Sequence, residues 1–477
     1  MKRLSPSVEV QSGIGSVDPC GAGTASHSQC SQNTRPSRNA GLDAARGLAC
    51  LLVVLLHAGV PYAKHPMPGL AWVTSGPRSS AVDVGFWAIE IFIMPLFLLL
   101  AGYFAASSFA RTPPLDVLKS RLKRLGRPLL FGCLVILPID FYLWAFGWAL
   151  EGWVPFRKLR SLKFDAGIDA QLWGTAHLWF LVYLLTYIGL TAIAFRVFRR
   201  ASLKSPACGI GILASVAIAT VCVRPAVIWG FQHAILPVPS KWLYSFCFFL
   251  GGMLVQRFDP NWTTVLAGRR RMAGVGIVTS AMAIVLAFWS FKNSGAIDGS
   301  TSEKSARVLA TGAIEQLTFS GDTKYAAMCL ACLSVAAATT ISLSFVAFCQ
   351  IWTRRSAETS IVRRSLAYLA SASLWVYLVH HPLVGLVHLS LRWLAPQTMP
   401  VIQCVVAFSL ATLVSLLTYE VLARRSRLGA WLDVADRSLQ RVQNALSDDT
   451  ETTLPASIPF PIANTEPDFE EESRRAA

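Results

Sequence analysis

The stretch Gly41-Leu42-Asp43-Ala44-Ala45-Arg46-Gly47, together with the histidine at position 57, decides how this chain is interpreted. It opens an apolar run from Leu48 to Val60, so Arg46 lies at the edge of a predicted membrane helix and His57 lies within it. Eleven helical steps of about 100° place the two residues within about 20° of the same face and about 16 Å apart along the axis. Because ionisable groups at such depth are costly, the pair predicts a functional site that joins the two sides of a membrane.

The composition indicates a polytopic membrane protein. Of the 477 residues, 53% are hydrophobic and only 15% are charged, and the mean hydropathy is +0.48. A soluble protein of this length needs far more charge to cover its surface. The net charge of +16 does not indicate nucleic-acid binding, because the basic residues recur between apolar runs instead of forming one stripe.

Hydropathy predicts an all-α bundle of about ten transmembrane helices. We place the spans at 42–61, 83–105, 128–149, 177–195, 207–223, 242–256, 272–290, 325–350, 366–390 and 401–423. One alternate set of connecting segments holds 18 Lys or Arg in 61 residues, and the other set holds 13 in 110. The denser set consists of 106–127, 196–206, 257–271 and 353–365. The positive-inside rule therefore places these segments, and both termini, in the cytoplasm.

The flanking segments differ in composition from the central part, residues 41–430, which we assign to one transmembrane domain. Residues 1–40 are polar and lack the apolar segment of a cleavable signal peptide, so we expect a disordered cytoplasmic extension. Residues 431–477 carry acidic groups among Ser, Thr and Pro, which predicts a disordered cytoplasmic tail. The eleven cysteines are scattered and mostly within apolar runs, which favours packing over ligation, and no metal site is expected.

Under this topology, the ionisable groups inside the spans gather toward the outer side. The residues concerned are His57, Glu90, Asp140, His177, His380 and His381. All of these histidines fall in the outer half of their spans, and Glu90 lies about two turns below the outer start of the second span. The distribution predicts a catalytic or binding vestibule open to the outside.

Several of these residues also have a purely structural interpretation. Asp43 and Arg46, three positions apart, could form an ion pair at the membrane interface. His177 could anchor a helix start within an aromatic belt. Glu90 and Asp140 could each be paired within the bundle.

Not every histidine is expected to enter the site. His380 and His381 point about 100° apart on a helix, so we expect only one of them to enter the site. His27, His65 and His233 fall in the extension or in predicted loops, where we expect them to be solvated.

Five motifs occur in order between residues 41 and 430. The first is Arg46 followed eleven positions later by His57, and the others are Phe97 to Phe104, Arg121 to Pro128, His177 to Leu181 and Leu374 to Leu383. Together they resemble the membrane acyltransferase-3 family, and most of all its branch of OpgC/MdoC-like glucan succinyltransferases. Ala101 stands where the family usually has serine, so any role of that hydroxyl is absent here.

The resemblance implies a multi-pass O-acyltransferase of a bacterial inner membrane. Such an enzyme moves an acyl group, succinyl or acetyl, from cytoplasmic acyl-CoA to a hydroxyl of an extracytoplasmic glycan. A periplasmic glucan is the first expectation, with lipopolysaccharide, exopolysaccharide or a lipo-oligosaccharide signal as alternatives. Acyl-CoA is then a donor substrate, and no bound cofactor is expected.

The residue chemistry fits this function. The phosphates of coenzyme A suit basic side chains at the cytoplasmic face, which are Arg46, Arg121, Lys123, Arg124 and Arg127. A sugar hydroxyl is a poor nucleophile near neutral pH, and an imidazole can accept its proton during attack. We therefore expect His57 to act as the general base, with Arg46 holding or steering the donor. An acyl-histidine intermediate is the alternative mechanism, and the sequence does not separate the two.

The other polar groups receive supporting roles in this hypothesis. His177 and one of His380 and His381 would orient the acceptor or stabilise the oxyanion. Glu90 or Asp140 would set the tautomer of a histidine.

Two functions of other classes remain open from the sequence. Buried His and acidic residues also form proton relays in transporters, although no internal repeat is evident. Two of His57, His177 and His380 could alternatively serve as axial ligands of a haem.

Overall fold

The computed structural model describes residues 39–164, 172–197, 205–231, 234–293, 324–357 and 360–434. Within these ranges the secondary structure is helical, and the only β-type pairing is an isolated bridge between Ala63 and Ser79. The predicted all-α class is therefore confirmed. The expected N-terminal extension, 1–40, and the acidic tail, 431–477, lie almost entirely outside the described residues, as do His27 and His233.

Each of the ten predicted spans falls on a helix. The described helices are α1 (Ala40–Gly59), α2 (Ser80–Phe109), α3 (Pro114–Phe131), α4 (Leu137–Leu150), α5 (Trp179–Val197), α6 (Pro206–Val223), α7 (Ala226–Trp229), α8 (Pro239–Phe258), α9 (Thr263–Asn293), α10 (Lys324–Arg355), α11 (Ile361–Leu394), α12 (Pro400–Thr418) and α13 (Arg427–Trp431). In the described part of the chain, nine helical stretches are long and apolar enough to cross a membrane. The predicted span 242–256 is not among these nine. It lies on α8, whose 20 residues include the polar side chains of Lys241, Gln256 and Arg257, which lower the mean hydropathy of the helix. The chain is a polytopic helix bundle.

The basic segment 106–127, predicted as a connecting loop, is helical from Pro114 onward. Lys and Arg are good helix formers, and proline is tolerated in the first turn, so basic residues mark the membrane edge without ending the helix. Helix α3 continues through a π-helical turn, Gly132–Ile136, into α4. Because α2 also extends to Phe109, only residues 110–113 of this segment lie outside a helix, and the loop prediction is wrong for the rest.

Helix α1 packs against α2, α10, α11 and α12. The glycines of its opening stretch allow two close approaches. A Cβ on Gly41 would lie 2.6 Å from Gln350 of α10, and a Cβ on Gly47 would lie 3.0 Å from the backbone nitrogen of Ala370 in α11. The absence of a side chain at these two positions therefore lets α1 pack directly against α10 and α11.

The bundle has two ends that the rest of the description uses. We call the end that contains Arg46 and Arg121 the basic end, and the end that contains Tyr62 and Arg392 the opposite end. Helices α1 and α11 both run from the basic end toward the opposite end. Their early residues Arg46 and Ala370 are hydrogen-bonded, and so are their late residues Ala58 and His388.

Helices α2 and α8 cross in direct backbone contact through a pair of glycines. A Cβ on Gly102 would lie 1.8 Å from the carbonyl oxygen of Phe249, and a Cβ on Gly252 would lie 1.9 Å from the carbonyl oxygen of Leu99. Without a hydrophobic drive between helices in lipid, such small-residue contacts carry the packing.

The adjacent glycine provides a matched test of this crossing. Gly252→Ala should lower the melting temperature of the purified protein, because overpacking costs about 1–3 kcal/mol. Gly251→Ala adds the same methyl group where nothing lies within 4 Å, so its melting temperature should equal or exceed that of the wild type. Equal melting temperatures for the two variants in one detergent would contradict the described crossing.

Candidate active site

Four histidines from three elements meet inside the bundle. His57 comes from α1, His177 from the helical turn that precedes α5, and His380 and His381 come from α11. The ring centroid of His57 lies 5.2 Å from that of His380 and 5.1 Å from that of His381. The ring of His177 lies 5.3 Å from His380 and 4.8 Å from His381. We call these four residues the histidine cluster.

Both adjacent histidines of α11 enter this cluster, which corrects the expectation that only one would do so. The side chains of His380 and His381 diverge around the helix. His57 of α1 and His177 nevertheless each contact both rings. His380 is fully buried and His381 is 4% exposed.

Asp140 of α4 supplies the negative charge beside the cluster. It is 1% exposed, and its Oδ2 lies 2.9 Å from Nδ1 of His381 and 3.6 Å from Nδ1 of His177. The π-helical turn before α4 packs closely on the segment at His177, since a Cβ on Gly132 would lie 2.6 Å from Leu178. Such π-helical turns occur often at functional sites, and this one sets the face on which Asp140 emerges.

Hydrogen-bond partners assign the tautomers of three cluster histidines, because a carbonyl or carboxylate oxygen only accepts. Nε2 of His177 donates to the carbonyl of Leu378 at 3.1 Å, and Nδ1 of His381 donates to Asp140 at 2.9 Å. Nδ1 of His380 donates to the carbonyl of Tyr377 at 2.8 Å. In their neutral forms, the second nitrogen of each ring then carries a lone pair.

His57 is the cluster member whose tautomer is not set in this way. Its Nδ1 is buried and has no hydrogen-bond partner among the described residues. The indole of Trp72 stacks on the imidazole at 5.9 Å with an interplanar angle of 7°, which holds the ring without using its nitrogens. His57 is therefore oriented and remains available for proton transfer.

Comparison with known proteins identifies the family of this chain. The profile of the acyltransferase-3 family, described as an acyltransferase domain, matches residues 39–420, which contain the whole cluster, Asp140 and Arg46. The chain belongs to the acyltransferase-3 family. No curated protein and no solved structure matches the chain significantly.

Another histidine of this acyltransferase, His388, lies next to the cluster but has both nitrogens occupied. Its Nδ1 accepts from Nε1 of Trp72 at 2.9 Å, and its Nε2 donates to the carbonyl of Ala58 at 3.1 Å. This pattern requires the neutral ring and leaves no lone pair for catalysis. His388 supports Trp72 and joins α11 to the end of α1.

The fold distinguishes the two carboxylates for which the sequence predicts the same role. Asp140 contacts the histidine cluster, whereas Glu90 lies on α2, which contributes no residue to the cluster. Asp140, and not Glu90, is thus placed to set histidine tautomers. His65, expected to be solvated, instead bonds through Nδ1 to Asp83 at 2.7 Å and stacks on Phe288, so that expectation is wrong.

The basic end of the acyltransferase gathers the expected donor-binding residues. Arg46 forms the i,i+3 ion pair with Asp43 at 3.5 Å and also bonds to Ala370. Arg121 bonds to Ser108, Arg124 pairs with Asp433 at 2.5 Å, and Arg127 bonds to the carbonyl of Trp431, while Lys123 is exposed. Helix α3 is therefore tied to the segment that follows α12.

Trp72 and Tyr377 are site residues that the sequence did not identify. Tyr377 donates its hydroxyl to the backbone carbonyl of His177 at 2.5 Å, and Trp72 covers His57. Trp72 lies in the irregular segment between α1 and α2, where no periodicity predicts the direction of a side chain. Tyr377 is within the motif Leu374 to Leu383, but its partner is 200 residues away.

Asp140, His177 and His381 have ligand atoms within 4.8 Å of one another, as a metal site requires. The geometry favours a hydrogen bond between His381 and Asp140 over a bound metal ion. A zinc ion with bonds of about 2.0 Å would hold tetrahedral donor atoms about 3.3 Å apart, whereas His381 and Asp140 lie at the 2.9 Å of a direct N–H···O bond.

We therefore expect the purified protein to contain no stoichiometric metal. Inductively coupled plasma mass spectrometry of the wild type and of Asp140→Asn should give equal, substoichiometric metal contents. One zinc or iron per chain in the wild type, lost in Asp140→Asn, would show that the three residues are ligands.

Proposed function

We propose that the chain is an O-acyltransferase that takes an acyl group from acyl-CoA at the basic end and transfers it to a glycan hydroxyl at the opposite end. The observation that carries the proposal is the meeting of His57, from the family's Arg46–His57 motif, with the histidine cluster and Asp140. The basic end would face the cytoplasm of a bacterium and the opposite end the outside of its inner membrane.

In the proposed reaction, His57 accepts the proton of the acceptor hydroxyl while the oxygen attacks the thioester carbonyl. The tetrahedral intermediate collapses, the carbon–sulfur bond breaks, and the thiolate of coenzyme A takes up the proton that His57 removed from the hydroxyl, which restores the neutral imidazole. Stacking on Trp72 keeps the imidazole in place throughout. The mechanism with an acyl-histidine intermediate uses the same residue as a nucleophile instead.

The tautomers favour one of the two roles expected for the other histidines. The N–H groups of His177, His380 and His381 already donate to oxygen atoms of the protein. Their remaining nitrogens offer lone pairs, which accept hydrogen bonds from sugar hydroxyls but do not stabilise an oxyanion. We therefore assign acceptor orientation, rather than oxyanion stabilisation, to these residues.

At the basic end, Arg46 lies on the same helix as His57 and faces the same neighbour, α11. We propose that Arg46 steers the thioester toward the cluster and that the half-buried Arg121 and the exposed Lys123 and Arg124 attract the phosphates of coenzyme A. A succinyl group and a periplasmic glucan are the proposed donor group and acceptor, following the resemblance to glucan succinyltransferases.

The glycan assignment can be tested in cells. Mass spectrometry of periplasmic and envelope glycans should show loss of a succinyl-sized substituent from a glucan in both a deletion strain and a strain carrying His57→Ala. A strain carrying Ser390→Ala, which alters an exposed hydroxyl on the same bundle, should retain the substituent. Loss of an acetyl-sized mass from another glycan would support the acyltransferase activity but show that the donor group and the acceptor differ from those proposed. If the glycan remained fully acylated in a strain whose His57→Ala protein is correctly inserted, the proposed role of His57 would be refuted.

The contribution of Asp140 can be separated from its packing. Asp140→Asn preserves an acceptor for His381 but removes the negative charge that stabilises a protonated histidine, so the rate should fall about 100-fold or more. Asp83→Asn is the matched control, because Asp83 is an equally buried partner of another histidine, His65. Transfer of labelled acyl groups to isolated glycan would measure both variants, and an unchanged rate for Asp140→Asn would exclude the electrostatic role.

A further inference from the structure

Trp144 carries a buried N–H group beside the histidine cluster and has no role in the mechanism proposed so far. It lies on α4 one turn after Asp140, so the two side chains emerge on the same face of the helix. Trp144 is 4% exposed, whereas Tyr142 and Phe146 on the other side of α4 are 55% and 45% exposed. The face that carries Asp140 and Trp144 is therefore the one that α4 turns into the bundle.

The indole of Trp144 belongs to the same group of aromatic rings as the proposed base. It stacks on His381, with the ring centroids 5.7 Å apart and an interplanar angle of 24°. It also meets Trp72 edge-on at 5.5 Å. His57 contacts the same two rings, at 5.1 Å from His381 and 5.9 Å from Trp72. The base and Trp144 therefore border one ring-lined site.

The two tryptophans that pack against Trp144 have their N–H groups occupied. Trp72 donates to Nδ1 of His388 at 2.9 Å, and Trp148 donates to the carbonyl of Trp72 at 3.0 Å. In the described part of the chain, Nε1 of Trp144 is buried and has no hydrogen-bond partner. Because a buried indole N–H usually finds a partner, this exception requires an explanation in terms of function.

The buried polar atoms without a partner around the cluster are of two kinds. Nδ1 of His177 and Nε2 of His380 carry lone pairs, since the other nitrogen of each ring donates, and Oδ1 of Asp140 only accepts. The N–H of Trp144 only donates.

This division matches the two reacting groups of an acyl transfer. The hydroxyls of a sugar can donate to the lone pairs of the first kind, whereas the carbonyl oxygen of a thioester accepts and never donates. Apart from His57 itself, Trp144 is the donor left for that oxygen among the described residues whose rings contact the cluster.

We propose that the N–H of Trp144 stabilises the oxyanion that forms during acyl transfer. When the acceptor oxygen attacks the thioester carbon, the π electrons of the carbonyl move to its oxygen, which accepts the hydrogen bond from Nε1 of Trp144. When the carbon–sulfur bond breaks, the same electrons restore the carbonyl. A fixed donor that faces a developing negative charge in a buried site contributes strongly to catalysis.

The inference rests on the proposed acyl transfer and names the residue that stabilises its intermediate. It holds for direct transfer and for an acyl-histidine intermediate, because both routes pass through a tetrahedral oxyanion.

The test compares two tryptophan-to-phenylalanine variants in transfer from succinyl-CoA to isolated glucan by purified protein in detergent. In Trp144→Phe, which keeps an aromatic ring but removes the N–H, kcat should fall about 100-fold, and KM for either substrate should change less than about threefold. Trp262→Phe is the matched control, because Trp262 is fully buried but packs on Tyr103, away from the cluster. Its kcat should equal that of the wild type.

A second variant separates the hydrogen bond from the packing of the ring. Replacing Trp144 with β-(3-benzothienyl)alanine keeps the shape of the indole and puts sulfur in place of the N–H group. This variant should melt at the temperature of the wild type and lose as much kcat as Trp144→Phe. A role in packing alone predicts that its kcat equals that of the wild type.

The outcomes separate this inference from the proposed function. Transfer by the wild type with an unchanged kcat in the benzothienyl variant would overturn the oxyanion assignment alone. A raised KM with an unchanged kcat would also overturn it, because Trp144 would then bind the substrate and the transition state equally. A wild type that transfers no acyl group would refute the proposed function and the oxyanion assignment together.

Discussion

The buried carboxylate of Asp140 constrains the rest of the site. A carboxylate that is 1% exposed within a membrane bundle is expensive unless hydrogen-bonded donors or positive charge compensate it. In the described part of the chain, the N–H of His381 donates to this carboxylate at 2.9 Å, and Nδ1 of His177 lies 3.6 Å from the same oxygen atom. Because the three residues come from α4, from the turn before α5 and from α11, this one interaction joins three distant parts of the sequence.

The position of His381 in turn fixes the neighbours of the proposed base. Helix α11 carries His380 one residue before His381, and both rings contact His57 of α1. The glycine at position 47 lets α1 approach α11 closely, and the bond from Arg46 to Ala370 secures the same contact. The Arg46–His57 motif is thus a line along one helix–helix interface that connects the basic end to the cluster.

Hydropathy and helical periodicity predicted what depends on local sequence. Apolar length located the spans, and the shared face of Arg46 and His57 is supported by their contacts with the same helix, α11. Long-range partners were beyond this reasoning: Asp140 and His381 are 241 residues apart, and nothing local distinguishes Asp140 from Glu90. The direction of Trp72 depends on an irregular segment, and the occupied nitrogens of His388 depend on Trp72 and Ala58. Periodicity also failed for His380 and His381, because a helix surrounded by partners uses more than one face.

Transfer across a sealed membrane tests the account most directly. Purified protein would be reconstituted into proteoliposomes of known orientation, with labelled succinyl-CoA on one side and glucan on the other. The account predicts labelled glucan when the donor is on the side of the basic end and the acceptor is on the opposite side, and no labelled glucan in the reverse arrangement. Label that appears only when donor and acceptor share one compartment would contradict the proposal that the Arg46–His57 line joins the two sides of the membrane.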